Sequence, residues 1–241
     1  MDGLIHAAIL GIVQGLTEFL PISSTAHLIV IPKFFGWDDP FLNSAAFDVM
    51  LHMGTLLALV AYFWRDLWRY LEAWIASIRE RSIGADLDRR LAWLILISTI
   101  PAAIIGAAFE STFDTAFRDA LAWIGVFSLV GAGFLWLAER WGRRDRGLDR
   151  LDVRDAVTVG LAQALALFPG ISRSGVTIGT GLFLNLEREA AARFAFLMSV
   201  PVIAGAGLWK ARTLVGTGLE GAAVGELLVG ATMAAVFGFI S

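Results

Sequence analysis

Apolar residues run almost unbroken through 45–64, 91–109 and 121–138. Each stretch has the length of about 20 residues that lets a helix cross ~30 Å of hydrocarbon, so the pattern predicts membrane-crossing α-helices. Further apolar segments begin near Phe194 and near Leu227, the latter running to Ser241. The run 4–20 differs, because it ends at Pro21 and passes directly into the polar Ser23, Ser24 and Thr25. The expected fold class is therefore all-α, a polytopic membrane protein.

The arginines set an orientation. Arg65, Arg69, Arg79, Arg81, Arg89 and Arg90 lie in 65–90, and Arg140, Arg143, Arg144, Arg146, Arg150 and Arg154 in 139–155, whereas 110–119 carries Arg118 beside Glu110, Asp114 and Asp119. By the positive-inside rule both arginine-rich segments face the cytoplasm, and Trp64, Trp68, Trp136 and Trp141 flank them as interfacial anchors. The crossing 45–64 then starts outside, and so does everything before it, where Lys33 is the sole Lys or Arg. The run 4–20 must accordingly enter the membrane and turn back. That predicts a re-entrant helix–loop–helix with its tip at 20–28, admissible only where protein or a water-filled cavity satisfies the irregular backbone.

Composition narrows the field. Hydrophobic residues make up 57% and charged residues 17% of the 241, against roughly 25% charged in an average soluble domain. No soluble domain is left over. The net charge of −3 argues against a nucleic-acid partner, and the absence of cysteine removes disulfides and thiolate metal sites. With no basic stretch ahead of the first apolar run, Met1 onward reads as mature protein.

A repeat is visible. Aligning Gly15-Leu16-Thr17-Glu18 with Gly160-Leu161-Ala162-Gln163, with two extra residues allowed, places Ile22-Ser23-Ser24-Thr25 on Ile171-Ser172-Arg173-Ser174. The second tip, at 168–177, follows one cytoplasmic segment and precedes the charged Leu186-Glu187-Arg188-Glu189, so it enters from the inner side. The two halves, about 1–109 and about 119–241, form an inverted-topology repeat with two re-entrant elements meeting at the midplane. Gly11 and Gly15, then Gly175 and Gly179, have the spacing for close helix contact, and Pro101 and Pro201 fall inside crossings as expected kinks.

The broken helices define the chemistry. Half-helices starting near Ala26 and Val176 present unpaired N–H groups and positive dipole ends to the midplane, a site for an anion. Arg173 adds a planar fork suited to phosphate oxygens, with Ser172, Ser174 and Thr177 as hydroxyl partners. Gln14 and Glu18, at i and i+4 on one helix face, offer oxygen ligands of the kind that hold Mg²⁺ or Ca²⁺. An intramembrane Glu18 or Arg173 is costly and points to function; the alternative is an ion pair joining the tips. His27 lies close enough to Ser24 for a serine–histidine nucleophile pair. Ser23 and Thr25 are cavity-lining or capping residues, and Asp48 and His52, again i and i+4, line the cavity or face interfacial water.

The segments QGLTEFLPISSTAHL and PGISRSGVTI together resemble the paired motifs of bacterial undecaprenyl-pyrophosphate phosphatases of the bacitracin-resistance type. FDVMLHMGTLLALVAYFWRDL and FLMSVPVIAGAG resemble the intervening segments, so the likeness covers almost the whole chain. It implies a multi-pass hydrolase of the bacterial inner membrane that removes the terminal phosphate of a polyprenyl pyrophosphate, with a divalent cation and a site open to the outer side. It places the glutamate-rich motif on Gln14 and Glu18, the catalytic serine and histidine on Ser24 and His27, and the arginine motif on Ser172, Arg173, Ser174 and Thr177. The expected partners are the lipid substrate, membrane lipids and, as an option, a second copy in a homodimer. Two departures stand out: Gln14 occupies a position the family fills with an acid, and the last apolar segment stops where relatives continue, an apparent truncation. Attack by Ser24 and attack by a metal-bound water both remain open, and the rival class is a transporter or flippase for an organic anion or lipid phosphate.

Overall fold

A computed structural model describes residues 2–116, 120–217 and 221–241. Among them the elements are helical: α1 (Asp2–Glu18), α2 (Ser24–Phe35), α3 (Ala45–Arg79), α4 (Leu87–Ala116), α5 (Leu121–Trp141), α6 (Val153–Ala164), α7 (Arg173–Phe183), α8 (Arg188–Thr217) and α9 (Gly221–Ile240). Among the described residues, five segments are long and apolar enough to cross a membrane: Ala45–Arg79, Leu87–Phe109, Leu121–Trp141, Arg188–Arg212 and Ala223–Ile240. The predicted outer loop 110–119 is partly an extension of α4, and its residues 117–119 lie outside the described residues.

The largest departure from the apolar pattern is in α3. The sequence predicts a loop after Trp64, yet the helix continues to Arg79 past one non-helical residue, Phe63, at φ −96° and ψ 15°. Tyr70 and Trp74 recur at helical spacing beyond that point and pack into the main apolar core, which holds the extension as helix. Arginines at this end of the helices are held in ion pairs. Arg193 bonds Asp66 at 2.6 Å, Arg69 bonds Asp88 at 3.0 Å, Arg188 bonds Glu139 at 2.7 Å and Arg146 bonds Asp155 at 2.6 Å, which joins the ends of α3, α4, α5, α6 and α8. The Asp155 hydrogen bonds hold the Arg146 guanidinium above its ordinary pKa, so this end stays charged.

Two short helix pairs interrupt the long helices. Between α1 and α2 the chain breaks over 19–23, because Pro21 lacks an N–H and disfavours helix at Leu20. Ser23 then takes φ 64° and ψ 92°, an uncommon conformation for a residue with a Cβ, and its Oγ caps α2 by accepting from Ala26 N at 3.4 Å. Between α6 and α7 a 3₁₀ turn at Leu165–Leu167 leads to Pro169 and Gly170. Gly170 sits at φ 112°, and a Cβ there would stand 2.5 Å from the Ile124 carbonyl oxygen, so glycine is required. Ser172 caps α7 through Gly175 N at 3.1 Å. These caps start the half-helices at Ser24 and Arg173, earlier than the Ala26 and Val176 expected from sequence.

Each pair returns toward its origin. His6 at the start of α1 stacks on Trp37 beyond the end of α2 at 3.9 Å, and Arg146 before α6 pairs with Leu186 after α7 in an isolated bridge. The two breaks touch each other, Ser174 Oγ donating to the Leu20 carbonyl at 2.9 Å. Helix α9 lies against α1 and α3 with backbones close together, since a Cβ on Gly11 would come 2.2 Å from Gly230 O and one on Gly54 2.3 Å from Ala231 O. Gly11 and Gly15 thus serve the close contact their spacing predicts. Gly175 packs on Pro21 and Ser172, and Gly179 on Phe134. Helical structure runs through Pro101 and Pro201, while the interrupted dihedrals fall at Phe63.

Candidate active site

Glu18 ends α1 with a side chain only 4% exposed, and a buried carboxylate must find donors. It finds them from four helices. Gln14, one turn earlier on α1, donates from Nε2 to Oε2 at 2.9 Å, which bears out the shared face. Ser24, brought over by the short break, donates from Oγ to the same oxygen at 2.6 Å. His52 of α3 places Nε2 3.3 Å from Oε2, and Arg173, the first residue of α7, binds Oε1 through Nη2. The nearest break residues of both tips thus converge on one carboxylate.

His52 is itself held from behind. Its Nδ1 lies 2.7 Å from the Asp48 carbonyl oxygen, so both ring nitrogens face acceptors. Asp48 is buried at the start of α3 and contributes this carbonyl; its side chain does not line the cavity described below. Of the two histidine positions, His52 reaches the carboxylate. His27 does not: its Nδ1 is 2.8 Å from the Ser23 carbonyl, and Ser24 and His27 share no hydrogen bond. The expected serine–histidine contact fails because α2 begins at Ser24, and one helical turn carries the His27 ring back to residue 23 instead.

A cavity of about 490 Å³ opens beside the carboxylate, within the range of roughly 300–1,000 Å³ typical of small-molecule sites. Glu18, Ser23, Ser24, Thr25, His52, Ser172 and Arg173 line its polar floor. Small and apolar residues of α4 and α8, among them Ala102, Ala103, Gly106, Val202 and Ala206, form its walls. Ser174 and Thr177 stand apart from it. Ser174 Oγ ties the tips together, and Thr177 Oγ1 donates at 2.7 Å to the Arg173 carbonyl inside α7. Both instead border a small space of about 10 Å³ behind the Glu18–Arg173 pair. Both hydroxyls are engaged with protein carbonyls, outside the lining of the larger cavity.

Arg173 uses one nitrogen on Glu18, and among the described residues its Nε and Nη1 have no protein acceptor. A divalent cation has less prepared for it. No group of three or more His, Cys, Asp or Glu side chains gathers among the described residues. Glu18 and the buried, unpartnered Oε1 of Gln14 are two oxygen ligands, which suits an ion that brings the rest of its shell with a phosphate group. The sequence reading missed Gln163, Thr99, Trp209 and Lys210, which also line the cavity. Lys210 was detectable as a charge in an apolar segment, and Gln163 as the partner of Glu18 in the repeat.

A helical chain that carries, among the described residues, five segments apolar enough to cross a membrane, with a carboxylate, serine and guanidinium lining an apolar-walled cavity, is a multi-pass membrane protein with a charged internal site. The family model described as Bacitracin resistance protein BacA matches residues 7–241, and the chain belongs to that family. It is similar to the Undecaprenyl-diphosphatase of Thermomicrobium roseum, 47% identical over 98% of this chain and 86% of that protein. Those of Moorella thermoacetica, 49% identical over 88% and 77%, and Geotalea daltonii, 45% identical over 99% and 87%, carry the same name.

Proposed function

We infer that the chain hydrolyses undecaprenyl diphosphate to undecaprenyl phosphate and inorganic phosphate, renewing the lipid carrier of peptidoglycan synthesis in the bacterial inner membrane. The observation that carries the chemistry is the 2.6 Å contact of Ser24 Oγ with Glu18 Oε2 beside Arg173. A carrier needs the cation but has no use for a hydroxyl aimed at a base. The apolar walls accept the first part of the prenyl chain, while the diphosphate reaches the polar floor. Arg173 turns its free N–H groups to the terminal phosphoryl oxygens. Ser24 Oγ attacks the terminal phosphorus and its proton passes to Glu18; the bond from that phosphorus to the bridging oxygen breaks and undecaprenyl phosphate leaves. Water then attacks the phosphoserine phosphorus, Glu18 gives its proton to the departing Ser24 Oγ, and inorganic phosphate leaves with both hydrogens of the water. His52 and Gln14 keep the carboxylate aligned as Arg173 shifts its grip. A divalent cation, Mg²⁺ or Ca²⁺, would be held by Glu18 and Gln14 Oε1 and would neutralise charge on the phosphoryl oxygens.

Purified protein in detergent should release phosphate from a prenyl diphosphate, where a transporter or flippase would release none. Ser24→Ala should then stop turnover, and acid-quenched wild-type enzyme should carry phosphate on Ser24. His27→Ala should keep activity within about tenfold, below the 10²–10⁴-fold typical of a lost general base. Robust turnover by Ser24→Ala would hand the attack to water.

The same reading includes the architecture: α1–α2 and α6–α7 are re-entrant elements of an inverted repeat, with the site opening outward. The His6–Trp37 stack and the Arg146–Leu186 bridge support it, as does the matching order of α1–α2–α3–α4 and α6–α7–α8–α9. The chain has no cysteine, so single cysteines report topology without background. In cells, Asp2→Cys and Asp38→Cys should react with an impermeant maleimide, whereas Arg143→Cys and Glu187→Cys should react only after permeabilisation. Opposite-side labelling within either pair would make that element a full crossing.

A further inference from the structure

Gln163 is the penultimate residue of α6, 3% exposed, and it lines the same cavity as Ser172 and Arg173. Its amide can donate two hydrogen bonds and accept at its oxygen. Neither Nε2 nor Oε1 has a partner. Buried polar groups are paired in the great majority of cases, and an orphan costs more than a made bond returns, so an unpaired amide calls for an explanation. Packing does not provide one, because Ala102, Ala166 and Leu167 line the cavity with it, and a leucine would suit such company better. Other polar side chains of this floor are engaged: Ser24 on Glu18, Ser172 on Gly175 N.

We propose that Gln163 is a substrate ligand, whose amide N–H groups bind oxygens of the phosphate that stays on the lipid. This rests on the diphosphatase reading above. Three observations select that phosphate. The terminal phosphate is claimed by Ser24, Glu18 and Arg173, which stand together. Gln163 lines the cavity together with apolar residues such as Ala102, Ala166 and Leu167, which suit the prenyl part of the substrate. Its chemistry is also complementary: an acid ends the first half-helix at Glu18 and can take a proton, whereas an amide near the end of α6 can only donate to an anion or accept from a protonated group. Negative charge grows on the leaving phosphate as the bond to the bridging oxygen breaks, so donation there strengthens in the transition state and acts on kcat.

The test uses full-length protein in detergent, measuring phosphate release from a prenyl diphosphate and the melting temperature. Gln163→Leu should lower kcat by about 10- to 100-fold, the worth of a hydrogen bond to a charged group, with KM nearly unchanged. Its melting temperature should hold or rise, since an orphaned amide has been replaced by an apolar group of similar size. Gln163→Glu, which removes the donors and adds a charge, should be slower still. Gln163→Met serves the same comparison if the leucine variant does not fold. A folded leucine or methionine variant with kcat within threefold of wild type overturns the proposal, as does a lowered melting temperature with kcat kept, which makes the amide a structural one. Absence of phosphate release by wild type would instead overturn the diphosphatase reading itself.

Discussion

Glu18→Gln is expected to lower phosphate release by at least about 10³-fold, because one substitution removes the proton acceptor and the charge around which the floor is arranged. The geometry makes the variant especially unfavourable. Oε2 receives hydrogen bonds from Gln14 at 2.9 Å and Ser24 at 2.6 Å and faces His52 at 3.3 Å, while Oε1 receives Arg173. An amide can present its oxygen to only one side. Its NH₂ then meets either Arg173 or the three donors on the other side, so at least one donor loses its acceptor. Gln14→Glu is the informative companion: it puts a second carboxylate within hydrogen-bond reach of the first, so without divalent cation the two repel. That variant should remain active at saturating Mg²⁺ or Ca²⁺, and its melting temperature should rise more on adding the ion than that of wild type. Near-native turnover by Glu18→Gln would remove Glu18 as base and as cation ligand together.

The apolar pattern made the helices legible because membrane length and hydropathy act locally along the chain. It failed at the Phe63 boundary, where tertiary packing of Tyr70 and Trp74 extends α3 through an arginine-rich stretch. At the site, Glu18, Ser24 and Arg173 were legible as charges and hydroxyls in apolar surroundings, and their meeting followed from the two breaks. The partner of the carboxylate was not. The sequence paired His27 with Ser24 and put His52 only on the cavity lining or in interfacial water, whereas the start of α2, set by the Ser23 cap and its φ of 64°, turns His27 back to residue 23. Ser174 and Thr177 differ for a similar reason: a short motif names its residues, but the helix that starts at Arg173, at about 100° per residue, points these two hydroxyls elsewhere than the larger cavity. The Gln163 orphan lies beyond any sequence rule, since only the packed neighbourhood shows that nothing meets its amide.

Arg173 forms the ion pair that the sequence admitted as the alternative to a phosphate clamp, so its substitution must separate two roles of one side chain. As a clamp, the guanidinium gives Nη2 to Glu18 and offers its remaining N–H groups to phosphoryl oxygens, a fork that lysine cannot reproduce. Arg173→Lys should therefore lose about 10²-fold or more in kcat/KM while melting close to wild type, because its ammonium can still pair with Glu18. Arg173→Ala leaves Glu18 without that cation. Breaking a buried pair costs about 3–5 kcal/mol when the surviving charge is left alone, but here Gln14, Ser24 and His52 still serve Oε2, and Arg173 itself is 20% exposed. The loss of stability should accordingly fall below that range, and the loss of activity should exceed what lysine shows. A purely structural pair predicts the reverse order: an active lysine variant, an unstable alanine variant, and recovery of its melting temperature when Glu18→Gln is added. Phosphate release and detergent melting of Arg173→Lys, Arg173→Ala and Arg173→Ala with Glu18→Gln decide between them, and full activity in the lysine variant would remove the clamp.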